Sequence, residues 1–193
     1  MDTTGEVGSL ALVEDGVIVE EAEMESADGF AHVLFGAMEE LLARRGLGIE
    51  EIDLFASASG PGSFTGVRVG LTAVKGLAEA TGRRVAAVSN LRAVASFGSG
   101  AVRAAFIDAR RGEIYGGVYN DALELIGDEV VMPFERWIAT LPEGAERVER
   151  GTRALAGAIG QIAGSHPELA RDPAEIDANY VRRSDAELLW KDA

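Results

Sequence analysis

Ser57-Ala58-Ser59-Gly60-Pro61-Gly62-Ser63-Phe64-Thr65-Gly66-Val67-Arg68-Val69-Gly70-Leu71-Thr72-Ala73-Val74-Lys75-Gly76 joins a short apolar run to a helix through a glycine turn. The run before it (Ile52, Leu54, Phe55, Ala56) has the character of a strand. Gly60 and Gly62 reach torsions closed to other residues, and Pro61 stiffens the turn between them. Ser63 or Thr65 then stands where a helix cap is needed. The first N–H groups of such a helix lack partners of their own and face whatever lies above the strand end. Inside the helix, Gly66, Gly70, Ala73 and Gly76 recur at three- and four-residue spacing. Each interior glycine costs about 1 kcal/mol relative to alanine. A helix that keeps three of them is expected to press its backbone closely against another element.

Working outward, Ser9 to Val13 and Val17 to Glu21 read as a hairpin around Glu14-Asp15-Gly16, an Asp-Gly turn signal. Phe30 to Arg45 reads as a helix closed by Gly46, and Ile52 to Ala58 as a strand. The helix after the glycine turn runs from about Thr65 to Ala80. A strand at Arg84 to Val88 and a helix at Leu91 to Ser96 follow. Phe97-Gly98-Ser99-Gly100 is the best boundary, which divides the chain into subdomains 1–98 and 99–193. A second hairpin (Val102 to Asp108, Glu113 to Tyr119) turns at Arg110-Arg111-Gly112. Strands at Leu123 to Ile126 and near Arg147, and a helix from about Arg153 to Ala163, complete the pattern before a Pro- and charge-rich tail. Each half opens on a hairpin and continues in alternating helices and strands, an α/β class with mixed sheets.

Two helices of the first half carry little polar surface. Phe30–Leu42 has only His32, Glu39 and Glu40 as polar positions. Gly66–Ala80 has a single stripe of Arg68, Thr72, Lys75 and Glu79. A helix lying on one sheet keeps a much wider polar face. Either a large core covers both helices, or they offer a second apolar face to another chain; in so short a chain the partner is favoured.

Composition bounds the rest. The chain has 193 residues, 47% of them apolar and 26% charged, which suits a globular protein with a full core. No run approaches the roughly 18–20 apolar residues of a membrane span. Met-Asp-Thr-Thr-Gly-Glu has none of the basic and apolar regions of a signal peptide. With no cysteine, disulfides and thiolate metal sites are excluded, and a cytoplasmic location is expected. The net charge of −14 repels polyphosphate, so tight binding of nucleic acid by this chain alone is not expected. The basic pairs Arg44-Arg45, Arg83-Arg84, Arg110-Arg111 and Arg182-Arg183 read as helix ends and solvated turns, or as parts of a basic site completed by a partner.

Signals for catalysis are few. His32 and His166 are the only histidines, and His32 has no second histidine four residues on, so the helical two-histidine metal site is missing and no metal is expected. There is no Gly-x-Ser-x-Gly elbow. The glycine turn matches neither the P-loop nor the dinucleotide fingerprint. Asp2-Thr3-Thr4-Gly5 reads as an ordinary polar turn or as a phosphate-facing one, with Asp2 able to hold a cation.

Four blocks in order carry a resemblance: Asp2-Thr3-Thr4, residues 60–70, Asp108-Ala109-Arg110-Arg111-Gly112-Glu113-Ile114-Tyr115, and residues 180–187. Together they resemble the bacterial TsaB (YeaZ) family nearly end to end. The resemblance implies an actin-like/Hsp70-like ATPase (ASKHA) fold of two related subdomains. It implies a part in making N6-threonylcarbamoyladenosine at position 37 of tRNAs that read ANN codons. In that family the protein is a non-catalytic partner of its paralogue TsaD, joined by the small ATPase TsaE, while TsaC supplies threonylcarbamoyl-adenylate. It would touch tRNA only through the complex, form a homodimer when alone, and carry no cofactor of its own, with ATP or ADP entering at the level of the complex. An ATP-binding phosphotransferase of the same superfold and an M22-type peptidase are the alternatives.

The departures from a catalytic pattern agree with a partner role. The catalytic paralogue carries a His-x-x-x-His motif where this chain has His32 alone. At the second hairpin turn, Arg110 and Arg111 replace the small residues expected of a phosphate loop. Asp2 begins the first motif, so most of the strand that usually precedes it is missing and the order of the first sheet is open. Subdomain-1 helices form the partner surface in the family, which gives Val33, Phe35, Ala37, Val69, Ala73 and Lys75 as expected interface residues. Asp2, Thr3, Thr4, Arg110, Arg111, Arg182 and Arg183 are the expected phosphate or partner contacts.

Overall fold

A computed structural model describes residues 1–181. Strands β1 (Gly8–Glu14) and β2 (Val17–Met24) form the expected antiparallel hairpin, with Asp15 and Gly16 both at positive φ. That pair of left-handed residues matches the twist of the flanking strands. Phe30–His32 is a single tight helical turn, and helix α1 proper runs Leu34–Arg45. The expected continuous helix from residue 30 is thus broken at its start. Phe30 is the cause: its side chain turns inward to pack with Leu10 and Met24. Gly46, at φ 67°, ends the helix.

Strands β3 (Leu54–Ala58) and β4 (Arg84–Val88) pair in parallel and are connected by helix α2 (Phe64–Thr81); helix α3 (Asn90–Ala95) follows. Ser63 is the α2 cap, its hydroxyl accepting from the Gly66 N–H at 3.2 Å. Met1 and Asp2 lie between the two pairs of strands. Asp2 and Ser9 exchange two backbone hydrogen bonds of 2.8 Å. On the other side the Met1 amino group donates to the Ala56 carbonyl at 2.7 Å, and the Ala58 N–H donates to the Met1 carbonyl at 2.9 Å. The order is therefore β2, β1, residues 1–2, β3, β4. Burial pushes the Met1 amino group down to about 6.

The second half builds one mixed sheet from β5 (Val102–Arg110), β6 (Glu113–Asn120), β7 (Val130–Pro133) and β8 (Glu146–Glu149), in the order β7-β6-β5-β8 with β5 and β8 parallel. Leu123–Ile126 is not the strand its composition suggests. Asn120 holds a turn there, with its side chain accepting from the Glu124 N–H, and Leu123 is left-handed at φ 59°. The strand comes later, as β7, followed by the unforeseen helix α4 (Phe134–Ile138). Gly116 makes room on β6 for Trp137, which packs at a tilt against Phe106 with ring centroids 5.6 Å apart.

Helix α5 (Ala156–Ser165) comes from the second half of the chain but packs on strands of the first. Gly157 and Gly160 allow this approach, since a Cβ at Gly160 would lie 2.6 Å from Val13 Cγ2. One core of Val88, Leu91, Leu155 and Ile159 therefore links elements on both sides of residue 98. Helices α1 and α2 are left on the far face of the first sheet.

Candidate partner groove and closed cleft

The glycine pattern of α2 has two different explanations. A Cβ on Gly66 would land on the Thr3 carbonyl, and one on Gly70 would lie 2.6 Å from Ser57 Oγ and 2.7 Å from Thr3 Oγ1. These two glycines let the helix backbone rest directly on the Asp2-Thr3-Thr4 turn. Ser63 N–H donates to the Thr4 carbonyl at 2.9 Å, and Thr3 Oγ1 donates to the Gly66 carbonyl at 2.6 Å. Gly76 is different, because a Cβ there meets nothing within 4 Å. It opens on a groove of about 670 Å³ between the start of α1 and the length of α2.

Apolar side chains dominate that groove. Phe35 and Phe64 stand on its walls at 55% and 43% exposure, unusual for phenylalanine on a surface. Of the six expected interface residues, Phe35, Val69 and Ala73 line the groove, with Ala73 in its buried floor. Val33 and Ala37 are half-buried against the core beneath α1. Lys75 is half-buried on α2 outside the groove wall. Phe64 and Arg68, which the sequence reading left aside, form the groove's end. The Arg68 guanidinium sits 3.7 Å from the centre of the Phe64 ring. Their signal was present in the sequence: an aromatic at the first helical position, four residues before the only arginine of the helix.

Replacing Gly76 by alanine separates internal from external packing. The isolated chain should gain roughly 0.5–1 kcal/mol, because helix propensity improves and nothing is displaced. Association through the groove should weaken, since a methyl would stand in the path of a docking backbone. Chemical denaturation and light scattering on the same variant check the two effects.

The cleft between the halves is filled by the chain itself. Asp2 is fully buried; its Oδ1 accepts from the Thr4 N–H at 2.8 Å and the Thr4 hydroxyl at 2.6 Å. Its Oδ2 accepts from Arg150 Nη2 at 2.7 Å. Asn90 Nδ2 donates to Thr4 Oγ1 at 2.5 Å while Asn90 Oδ1 accepts from the Gly60 N–H at 3.1 Å. Asp2, Thr3 and Thr4 thus bind the chain's own groups. Arg110 and Arg111 lie at the exposed β5–β6 turn, both at positive φ. Arg110 donates to Glu6 at 2.8 Å, and this pair raises the arginine's pKa above its ordinary value. Arg182 and Arg183 lie outside the described residues. Arg150 was not anticipated from sequence, because nothing nearby marks one arginine among several as the partner of a carboxylate 148 positions away.

A second polar knot holds the end of the described chain. Glu129 accepts from Ser89, Tyr119 and Asn179, and burial first, then the Glu129 charge, pushes the Tyr119 phenol far up. The Asn179 N–H donates to the Ser59 carbonyl at 2.7 Å. Tyr180 then sits at the groove's end, its ring 5.4 Å from Phe64 and its hydroxyl accepting from Arg68 Nε at 3.1 Å. Among the described residues no three His, Asp or Glu side chains come together as metal ligands, and no helix is long and apolar enough to cross a membrane.

Comparison with known proteins places these features. Residues 16–163 match the family model described as TsaD, tRNA N6-adenosine threonylcarbamoyltransferase. The chain is 38% identical over 119 residues to the tRNA threonylcarbamoyladenosine biosynthesis protein TsaB of Haemophilus influenzae, covering 60% of this chain and 50% of that protein. It is 26% identical over 220 residues to TsaB of Bacillus subtilis, covering 98% of this chain and 96% of that one. Its fold superimposes on YeaZ from Pseudomonas aeruginosa with a TM-score of 0.77 at 26% identity, covering 93% and 96% of the two chains. The mixed-sheet α/β architecture is thus the ASKHA-type fold expected of the family.

Proposed function

The chain belongs to the TsaB (YeaZ) family, and from that premise we propose that it is a non-catalytic subunit of the assembly that makes N6-threonylcarbamoyladenosine in tRNA. The α1–α2 groove is its docking surface for the catalytic paralogue TsaD. The observation that carries this reading is the exposure of Phe35 and Phe64 beside Gly76, an apolar slot with room for a close backbone. Without TsaD, the same groove pairs with a second copy in an isologous dimer. TsaE joins the pair, and tRNA is reached only through the complex.

The cleft supports a non-catalytic role. Asp2, Thr3 and Thr4 are engaged internally, and Arg150 lies on the carboxylate that a nucleotide-bound cation would need. The chain is therefore read as having no cofactor of its own, and ATP or ADP as entering with the other subunits.

Phe35→Asp tests the docking surface. Phe35 is 55% exposed, so the substitution should leave the fold intact. Loss of a central aromatic anchor commonly costs 2–4 kcal/mol, so association with TsaD should weaken by about 30- to 1,000-fold. Size-exclusion chromatography with light scattering, on the chain alone and mixed with the TsaD of the same genome, reads the result. A folded Phe35→Asp variant that pairs as well as the parent chain overturns the proposal.

A further inference from the structure

We propose that two charges on α2 fix how a second copy of this chain docks: α2 packs antiparallel on its counterpart, and Arg68 of each copy receives the Glu79 carboxylate of the other. The inference rests on the groove read above as a docking surface and names the pairing that sets its register.

The exposed positions of α2 form one ridge. Arg68, Thr72, Gly76 and Glu79 are exposed at helical spacing, while Leu71, Val74 and Ala78 face the core. A helix favours acids near its N-terminus and cations near its C-terminus. This ridge has the reverse order. Arg68 stands in the second turn and Glu79 in the last, and α2 has no acid in its first turn and no cation in its last. The two charges lie about 16 Å apart along the helix, too far to pair with each other. Neither joins an ion pair among the described residues. An antiparallel second α2 relieves both conflicts. It brings Glu79 and the negative end of its dipole to Arg68, and two-fold symmetry repeats the exchange at the other end.

Arg68 is also held ready for a carboxylate. Its guanidinium lies 3.7 Å from the centre of the Phe64 ring, and its Nε donates to the Tyr180 hydroxyl at 3.1 Å. Tyr180 is tied back through Asn179, which donates to the Ser59 carbonyl and to Glu129. One face and one N–H of the guanidinium are thereby engaged, while Nη1 and Nη2 have no partner among the described residues. That edge is a fork suited to taking a carboxylate in two parallel hydrogen bonds. Among the described residues it is the only charged group lining the groove, in a chain whose net charge is −14.

Shape agrees with this register. Helices that pair residue 68 with residue 79 cross beside Ala73, and Thr72 of one copy then faces Gly76 of the other. A Cβ at Gly76 meets nothing within 4 Å, so the notch is free to take the threonine methyl and to let the two backbones approach.

Charge reversal in trans tests the pairing. Arg68→Glu alone and Glu79→Arg alone each set like charges against one another at both ends of the dimer, so self-association should fall by ~100-fold or more. Mixed in equal amounts, the two variants again place opposite charges at both ends, and association should return to within ~10-fold of the parent chain. Sedimentation equilibrium at about 0.15 M salt reads both, because a screening length of about 8 Å suppresses the general attraction between differently charged chains. Each variant should stay folded, since its new charge is the one the nearby helix end favours. Circular dichroism checks this, and Glu79→Arg leaves the Phe64–Arg68–Tyr180 cluster untouched.

Folded single variants that dimerise as well as the parent overturn the inference. If Phe35→Asp still abolishes that dimer, the groove remains the docking surface and only the register falls. Lost association that the mixture does not recover also overturns it, because Arg68 and Glu79 then act separately. Weakened TsaD binding by Arg68→Glu with self-association unchanged would assign the carboxylate to TsaD and overturn the second copy as its source. A parent chain that stays monomeric up to about 1 mM, weaker than a specific dimer, does the same.

Discussion

Replacing Gly66 by alanine should lower the melting temperature of the isolated chain by about 6–12 °C, the shift that ~3 kcal/mol produces in a domain of this size. The added Cβ would fall on the Thr3 carbonyl oxygen, 2.9 Å from its carbonyl carbon and 3.1 Å from Thr4 Cα. None of these atoms belongs to a side chain that can rotate away. The N-terminal turn would have to move, and it is held on its other side by Ser9, Asn90 and Arg150. Helix propensity improves by about 1 kcal/mol in the same substitution, so the clash must exceed that gain to show. Gly76→Ala, two turns or more further along the same helix, should move stability in the opposite direction. Thermal unfolding of both variants, followed by circular dichroism at monomeric concentration, compares the signs. A stabilised Gly66→Ala would mean that the turn is free to move off α2, and the docking of α2 on Thr3 would have to be abandoned.

That contrast also shows what the sequence can disclose. The spacing of Gly66, Gly70 and Gly76 announces a close approach without saying to what. Two of the three meet the chain's own N-terminal turn, and the third opens on a groove. Both hairpins were legible because Asp15-Gly16 and Arg111-Gly112 interrupt alternating strands. The break at Phe30 was not, since helical periodicity runs through it and the reversal is made by a side chain that packs on β1. The same holds between Asn120 and Val130, where local hydrogen bonds to Asn120 outweigh an apolar run with good strand composition. The polar knots at Asp2 and Glu129 are the least legible features. Each joins residues tens of positions apart, and pairing at that range is decided by tertiary packing.

Arg150→Met should cost about 3–5 kcal/mol, because it leaves the Asp2 carboxylate buried with its cationic partner gone. Exposure decides that the effect is large: the Asp2 side chain is 0% and the Arg150 side chain 14% exposed, so solvent cannot replace the lost charge. The pair between Arg110 and Glu6, at 74% and 87% exposure, offers the control, and Arg110→Met should leave stability close to that of the parent chain, because solvent screens an exposed pair. A double-mutant cycle with Asp2→Asn separates the pair from its surroundings. Asp2→Asn removes the charge and keeps an acceptor for the two Thr4 donors. The double variant should therefore recover much of what Arg150→Met alone loses. Urea denaturation of the four proteins gives the coupling energy. A coupling near zero would mean that water reaches Asp2 in solution. The N-terminal turn would then not be tied to the end of β8, and the cleft between the two halves would be open enough to admit a ligand. A coupling of several kcal/mol means that any nucleotide entering this cleft must first displace an arginine from a buried carboxylate, a barrier that suits a subunit acting through its surface.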